Sequence, residues 1–416
     1  MTNEHWAPAA KYMFAIGTLF TLATALSTAF LNVFFWKEHK SLSAIALYNG
    51  MQFVMIPILF SICRKLPWKH SELYIRAGIF FYGISYGLLL FLKSYANPYV
   101  LGITFGIGAG FYWFAYNLLS FRVLQEHQRA SFNGYIGVFN SLSNVAAPLV
   151  SGIIITNTAG NLGYFLIFGL SVSLFLIAFL LSFRLHAKPY DIPTAPLFRR
   201  QHPNWNKILV GNVLQGMKEG VFSYLPAILV YITTQSEMSL GKYSAITAFI
   251  SSISFFIMGK YLSKRWFNEC MIVGSMLSTA AIAVFMIRLN FTMVMLYGLI
   301  TAISVPVFSV PFLTRVLHVI DEAHEIHQQE YLVEREICLN TGRVLSVGSF
   351  LLGYDVFPKE WIPIYLLTLG VMQVIAVFIF RSVKINTTFF AHETIEKNDR
   401  HTHFIRQKRK RLLKNK

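Results

Sequence analysis

Apolar runs recur along the whole chain, and only short polar segments interrupt them. A bilayer crossing takes roughly 20 predominantly apolar residues. Runs of that kind predict spans at 13–36, 44–62, 74–92, 99–121, 134–156 and 162–183, then at 208–231, 243–262, 271–287, 291–313, 338–356 and 362–380. The run at 13–36 outlasts the ~7 to 15 residues of a signal-peptide core and lacks a basic start, so it reads as the first span. Six spans lie on each side of a polar connector, 184–206, whose four prolines suit a solvated link. The halves repeat weakly: SLSAIALYNG from Ser41 aligns with SLGKYSAITA from Ser239, and SFRVL from Ser120 with LTRVL from Leu313, at nearly the same offset. The expected fold is an all-α membrane protein of about twelve transmembrane helices, with a duplicated six-helix unit at 1–183 and 207–388 and a basic tail at 389–416.

Composition agrees, since 55% hydrophobic residues, 13% charged residues and a mean hydropathy of +0.51 exclude a soluble domain of this length. A net charge of +17 raises the question of nucleic acid, but no nucleic-acid motif surrounds the basic residues. They sit between apolar runs and alternate by side. Arg64, Lys65, Lys69, Arg122, Arg129, Arg184, Arg199, Arg200, Lys260, Lys264 and Arg265 fall on one side, against Lys37, Lys40, Lys93, Lys242, Arg288 and Lys359 on the other. The richer side is cytoplasmic by the positive-inside rule, so both termini are expected inside the cell at its plasma membrane. The tail RQKRKRLLKNK, 406–416, is a candidate for anionic lipid. Cys63, Cys270 and Cys338 lie far apart and imply neither a disulfide framework nor a zinc site. The loop DEAHEIHQQE, from Asp321, is not HExxH and reads as a solvated charged segment. With no GxSxG and no P-loop, neither an enzyme, a cofactor nor a bound metal is expected.

Candidate chemistry concentrates in GNVLQGMKEGVFSYLP, 211–226, which sets Lys218 and Glu219 side by side near the middle of the 208–231 run. Ionisable groups at that depth face a watery cavity or a partner. At 100° per residue the two cannot face each other, so each needs its own solvent or its own partner on a neighbouring helix. Asn212, Gln215, Glu219 and Ser223 share one face. Two readings stay open: a polar stripe lining a transport path, and a buried ion pair that locks helices together. A second cluster, Trp113, Tyr116 and Asn117, follows the small-residue stripe Gly106, Gly108 and Gly110 and suits apolar or cationic ligands, or core packing. Asn140 and Asn144 lie one turn apart, and Glu336, Asn340 and Arg343 share another face. These two sets read as a gate between the halves, with snorkelling to the membrane surface as the alternative, above all for Arg343.

The chain resembles the major facilitator superfamily over about 11–380. That family repeats a G-x-x-x-D-R/K-x-G-R-K loop, of which Gly259, Lys260, Lys264 and Arg265 keep the glycine and basic residues without the acid. Its drug-exporting members carry G-x8-G-x3-G-P-x2-G-G on the fifth helix, where Gly134, Ser143, Ala147, Pro148, Ser151 and Gly152 stand here. The buried arginine of proton-coupled drug antiporters is absent from the fourth helix. The resemblance implies two six-helix bundles around a central cavity and secondary transport of a small solute by alternating access, in the direction of export. A coupled nutrient symporter is the alternative within transport, and a membrane-embedded enzyme or transporter-like receptor the alternative outside it.

Impermeant thiol labelling of single cysteines in a background lacking Cys63, Cys270 and Cys338 checks the orientation. Ser236→Cys is expected to react in intact cells and Thr194→Cys to be shielded; the opposite pattern inverts the topology.

Overall fold

The computed structural model describes residues 7–66, 70–92, 97–124, 126–187, 196–198, 202–321, 325–354, 356–358 and 360–383. The proposed lipid-binding tail at 406–416 and the side chains of Asp321, His324 and His327 lie outside them. Six helices form the first half: α1 Pro8–His39, α2 Leu42–Cys63, α3 Ser71–Leu92, α4 Pro98–Val123, α5 Glu126–Thr156 and α6 Leu162–Ser182. The second half holds α7 Trp205–Phe222, α8 Leu225–Thr234, α9 Glu237–Tyr261, α10 Phe267–Ile287, α11 Phe291–Asp321, α12 Glu325–Tyr354 and α13 Trp361–Phe380. We term basal the end where α1 starts and apical the opposite end.

The run at 208–231, expected as one span, is two helices. Pro226 sits in the first turn of α8 and has no backbone N–H to give the Phe222 carbonyl, and Tyr224 leaves helical geometry at φ −125°. The Ser223 hydroxyl turns back to the Gly220 carbonyl at 2.7 Å. Together α7 and α8 make one crossing, so the molecule is two six-helix bundles. Ten helical segments among the described residues are long and apolar enough to cross a membrane; α7, α8 and α12 are not among them.

In the first bundle α4 packs on α2 and α3, and α1 on α5 and α6; in the second, α7 packs on α12 and α13, and α10 on α11 and α13. The bundles meet along α5 with α9, α2 with α12 and α1 with α8. The first bundle closes on an aromatic core, in which Phe20 stacks on Tyr112 at 3.5 Å and Tyr82 on Phe175 at 5.4 Å between ring centres. In the second, α7 and α12 touch backbone to backbone. A Cβ on Gly216 would stand 2.0 Å from the Leu339 carbonyl oxygen, and one on Gly342 would stand 2.0 Å from that of Val213. Small residues at such positions let spanning helices close to van der Waals contact.

The connector is not wholly solvated. The Phe198 backbone N–H and the Trp205 indole N–H both donate to the Glu334 carboxylate, and Trp205 lies 4.3 Å from the Tyr331 ring. Burial raises the Glu334 carboxyl above its usual range, and these two donors offset part of that rise. Helices α11 and α12 also run basally past the expected spans 291–313 and 338–356, because their polar ends are held by such contacts rather than ended by them.

Gly216→Leu and Gly342→Leu should each destabilise the protein well beyond the ~1 kcal/mol typical of a point substitution. Gly134→Ala and Gly259→Ala, whose added Cβ atoms meet nothing within 4 Å, should not. Fluorescence-detected size exclusion and thermal midpoints of the four variants check this.

Candidate functional site

Beside the break at Ser223, lined by residues on both sides of it, lies a cavity of about 900 Å³ between the two bundles. Its wall runs from α1 (Thr28, Asn32) and α2 (Phe53) across α5 (Asn140, Asn144) to α9 and α11 (Tyr243, Tyr297). Its charged groups among the described residues are Lys218 and Glu219 from α7 and Arg343 from α12.

Glu219 is the centre of a chain of hydrogen bonds. Its Oε2 takes Nη2 of Arg343 at 2.6 Å and Nε at 3.1 Å, and its Oε1 takes Gln215 Nε2 at 2.9 Å. Arg343 Nη1 reaches Asn340 Oδ1 at 3.1 Å, and Asn340 Nδ2 gives to the Glu336 carbonyl at 2.9 Å. Arg335 holds the Glu336 carboxylate at 2.8 Å. The guanidinium of Arg343 also lies 5.4 Å from the Phe53 ring on α2, across the bundle interface. Lys218 points away from this chain. Its residue is 6% exposed, and its ammonium stands 5.6 Å from the Phe222 ring with no carboxylate within 4.0 Å among the described residues.

Thus Lys218, Glu219 and Arg343 share one cavity, while Gln215 and Asn340 buttress it from behind. Asn212 turns to the Ile208 carbonyl at 2.8 Å, stays buried and does not line the cavity. The set Glu336, Asn340 and Arg343, expected to gate between the bundles, makes its ion pairs inside the second bundle. The reason is geometric: close packing of α7 on α12 brings Glu219 within reach of Arg343 first. Asn140 and Asn144 do line the cavity, where Asn144 Nδ2 gives to the Asn140 carbonyl at 2.8 Å. Trp113, Tyr116 and Asn117 do not: Tyr116 stacks on Tyr112 at 5.7 Å and lies beside Gly17 of α1, and Trp113, 43% exposed, meets Phe20 of α1 edge-on.

The small residues of α5 divide between two neighbours. Ser151 gives its hydroxyl to the Leu26 carbonyl of α1 at 2.7 Å, while Pro148 and Gly152 lie against Gly241 of α9. Ser143 and Ala147 are buried, and Gly134 faces open space. The loop residues Gly259, Lys260, Lys264 and Arg265 sit at the basal end, where Lys260 lies 5.1 Å from the Tyr261 ring and Arg265 5.6 Å from Trp266.

Two contacts between the bundles escaped sequence reasoning. At the apical end Lys37 bonds Glu237 at 3.1 Å, and Glu237 also accepts from Tyr164 at 2.9 Å. At the basal end the buried Arg64 of α2 faces the buried Glu330 of α12 at 3.8 Å. By charge alone Arg64 looked like any other loop residue. The usable signal was the pair Glu330 and Glu334, two acids one helical turn apart on a side otherwise rich in bases.

The Glu219 and Arg343 side chains keep 34% and 23% of their surface open to the cavity. Removing one member therefore leaves a charge that water screens in part, at a cost below the ~3 to 5 kcal/mol of a fully buried pair, whereas replacing both is milder still. Arg343→Met should therefore lower the thermal midpoint of the purified protein more than the double variant Glu219→Gln with Arg343→Met does. Equal losses would mean that the pair is not coupled.

The sequence pattern of the Major Facilitator Superfamily matches residues 14–324. A Bacillus subtilis (strain 168) protein described as uncharacterized protein YqgE is 30% identical over 397 residues, covering 93% of this chain and 92% of its own. A Geobacillus stearothermophilus protein described as lying in the sodM 3' region is 33% identical over 159 residues, 38% of this chain and 74% of its own. Among solved structures, an auto-inhibited POT family peptide transporter superposes with a TM-score of 0.73 at 9% identity, over 91% of this chain and 98% of that one. The POT family transporter PepTSo gives 0.71 at 9% identity over 91% and 97%, and a bacterial metal transporter 0.61 at 13% identity over 91% and 98%. At such identities these likenesses speak for the fold alone. The family match covers most of the chain, and with it the protein belongs to the major facilitator superfamily, a multi-pass secondary transporter and not an enzyme.

Proposed function

We propose that this protein exports a small solute across the plasma membrane by alternating access, with the basal end cytoplasmic and Glu219 as the coupling carboxylate. The observation that carries the reading is the 900 Å³ cavity between the bundles with Glu219, Arg343 and Lys218 on its wall. A cavity of this size suits a drug-sized molecule, for which ligand sites run about 300 to 1,000 Å³.

Coupling follows from the chemistry of the pair. While Glu219 is ionised, Arg343 is bound to it and α7 is tied to α12. A proton on Glu219 cancels the attraction and frees the guanidinium, which also rests on Phe53 of the opposite bundle. One proton thus alters both the grip within the second bundle and the contact across the interface. Alternating access also needs contacts at both mouths that can break and re-form. Lys37 with Glu237 at the apical end and Arg64 with Glu330 at the basal end are ion pairs that cross the bundle interface at those places. Export is supported by the small-residue pattern of α5, whose Pro148 and Gly152 abut α9 across the interface.

Reconstitution in liposomes with a screen of labelled solutes under imposed proton and sodium gradients tests the proposal. Glu219→Gln is expected to abolish gradient-driven accumulation while leaving exchange of solute at equal concentrations largely intact, because the amide keeps the shape of the protonated acid. Unchanged accumulation would remove Glu219 from coupling. Accumulation driven in the same direction as the proton gradient would make the protein a symporter.

A further inference from the structure

Charge is not balanced in the central cavity. Glu219 is the one carboxylate among its described lining residues, and Arg343 commits Nε and Nη2 to it and Nη1 to Asn340. Lys218 is left over. It is more than nine-tenths buried, it lines the cavity, and its three N–H donors have no hydrogen-bond acceptor among the described residues. The Phe222 ring at 5.6 Å offers a cation only a weak substitute for an anion. The neighbouring Glu219 carboxylate acts on this ammonium only through space and is itself bound by Arg343. Two cations thus share one carboxylate, and a buried ammonium with no anion in contact is stabilised by one that enters beside it.

The rest of the wall describes the body that such an anion would carry. Phe53, Phe222, Tyr243 and Tyr297 line the cavity around the charged groups. A second hollow of about 430 Å³ adjoins it between α5 and α9 and shares Ser141 and Ser252 with it. Its other walls are Leu142, Val145, Phe249, Ile253 and Phe256, all apolar. Leu142, Phe249, Ile253 and Phe256 are exposed, so the hollow is open to the outer surface of the molecule. The two shared serines set a polar end at Lys218 and an apolar end at this hollow beside each other.

We infer that the cavity binds an amphipathic organic anion, its acid group on the Lys218 ammonium and its apolar body against the aromatic wall and the α5–α9 hollow. The inference rests on the transporter reading only in naming what that cavity carries. A neutral or cationic solute would leave Lys218 uncompensated or add a second like charge beside it, so the site discriminates by head-group charge.

Thermal unfolding of the purified full chain tests this with matched probes: benzoate, 3-phenylpropanoate and decanoate, each beside the amide and the amine of the same skeleton. The acids are expected to raise the midpoint saturably and the amides and amines not to. Lys218→Met should weaken the acid response about tenfold or more, as loss of a charge-assisted hydrogen bond does, and Lys218→Arg should retain it. An amine or amide that stabilises as strongly as its acid overturns the inference, as does a wild-type acid response in Lys218→Met or no response to any acid. If Lys218→Met does not fold, the ranking of acid, amide and amine on the wild type decides. Flux separates the two claims. An acid that binds but is never moved in liposomes leaves the binding inference standing and sinks the transport reading. Transport of other solutes without preference for acids does the opposite.

Discussion

The Glu219–Arg343 ion pair at the α7–α12 contact is the constraint on which the rest of the second bundle depends. Neither helix is apolar enough to cross a membrane by composition, and each carries one member of the pair. A lone charge in a bilayer interior costs several kcal/mol, and a well-made pair offsets much of it only when geometry is good and the remaining donors and acceptors are met. Here they are met by Gln215 on one side and Asn340 on the other. That arrangement needs two backbones closer than side chains normally permit, and Gly216 and Gly342 are where the closeness is achieved. The polar helices are therefore tolerable as a pair and not singly.

The same contact sets the shape of the cavity. Pro226 interrupts the crossing about two turns above Glu219, and residues on both sides of the break, Phe222 and Pro226 among them, line the cavity. Below it, α12 continues to Glu330 and Glu334, which reach α2 and the connector. One helix thus joins the charged floor of the cavity, the basal contact between the bundles and the segment that links them. A change in charge at Glu219 acts on an element that touches all three. The opposite flank differs: Pro148 and Gly152 of α5 abut Gly241 of α9, and an apolar hollow lies between the same two helices beside the cavity.

The sequence by itself determined the class and the approximate number of crossings, because apolar run length and charge between runs are properties of the chain read in one dimension. It also determined where the costly residues lie, since Lys218 and Glu219 in an apolar run demand partners wherever the chain goes. It required that the two face different ways, as they do. Only the tertiary structure decided which partner Glu219 has. Arg343 stands 124 positions from Glu219 and meets it because glycines on two helices align, a register that no local spacing records. Arg64 and Trp113 went the other way. A loop base proved to be a buried inter-bundle contact, and an aromatic patch that looked like a binding surface packs away from the cavity. Periodicity reports which residues share a face of one helix; which way that face turns depends on the neighbours, and those are set by packing among helices far apart in sequence.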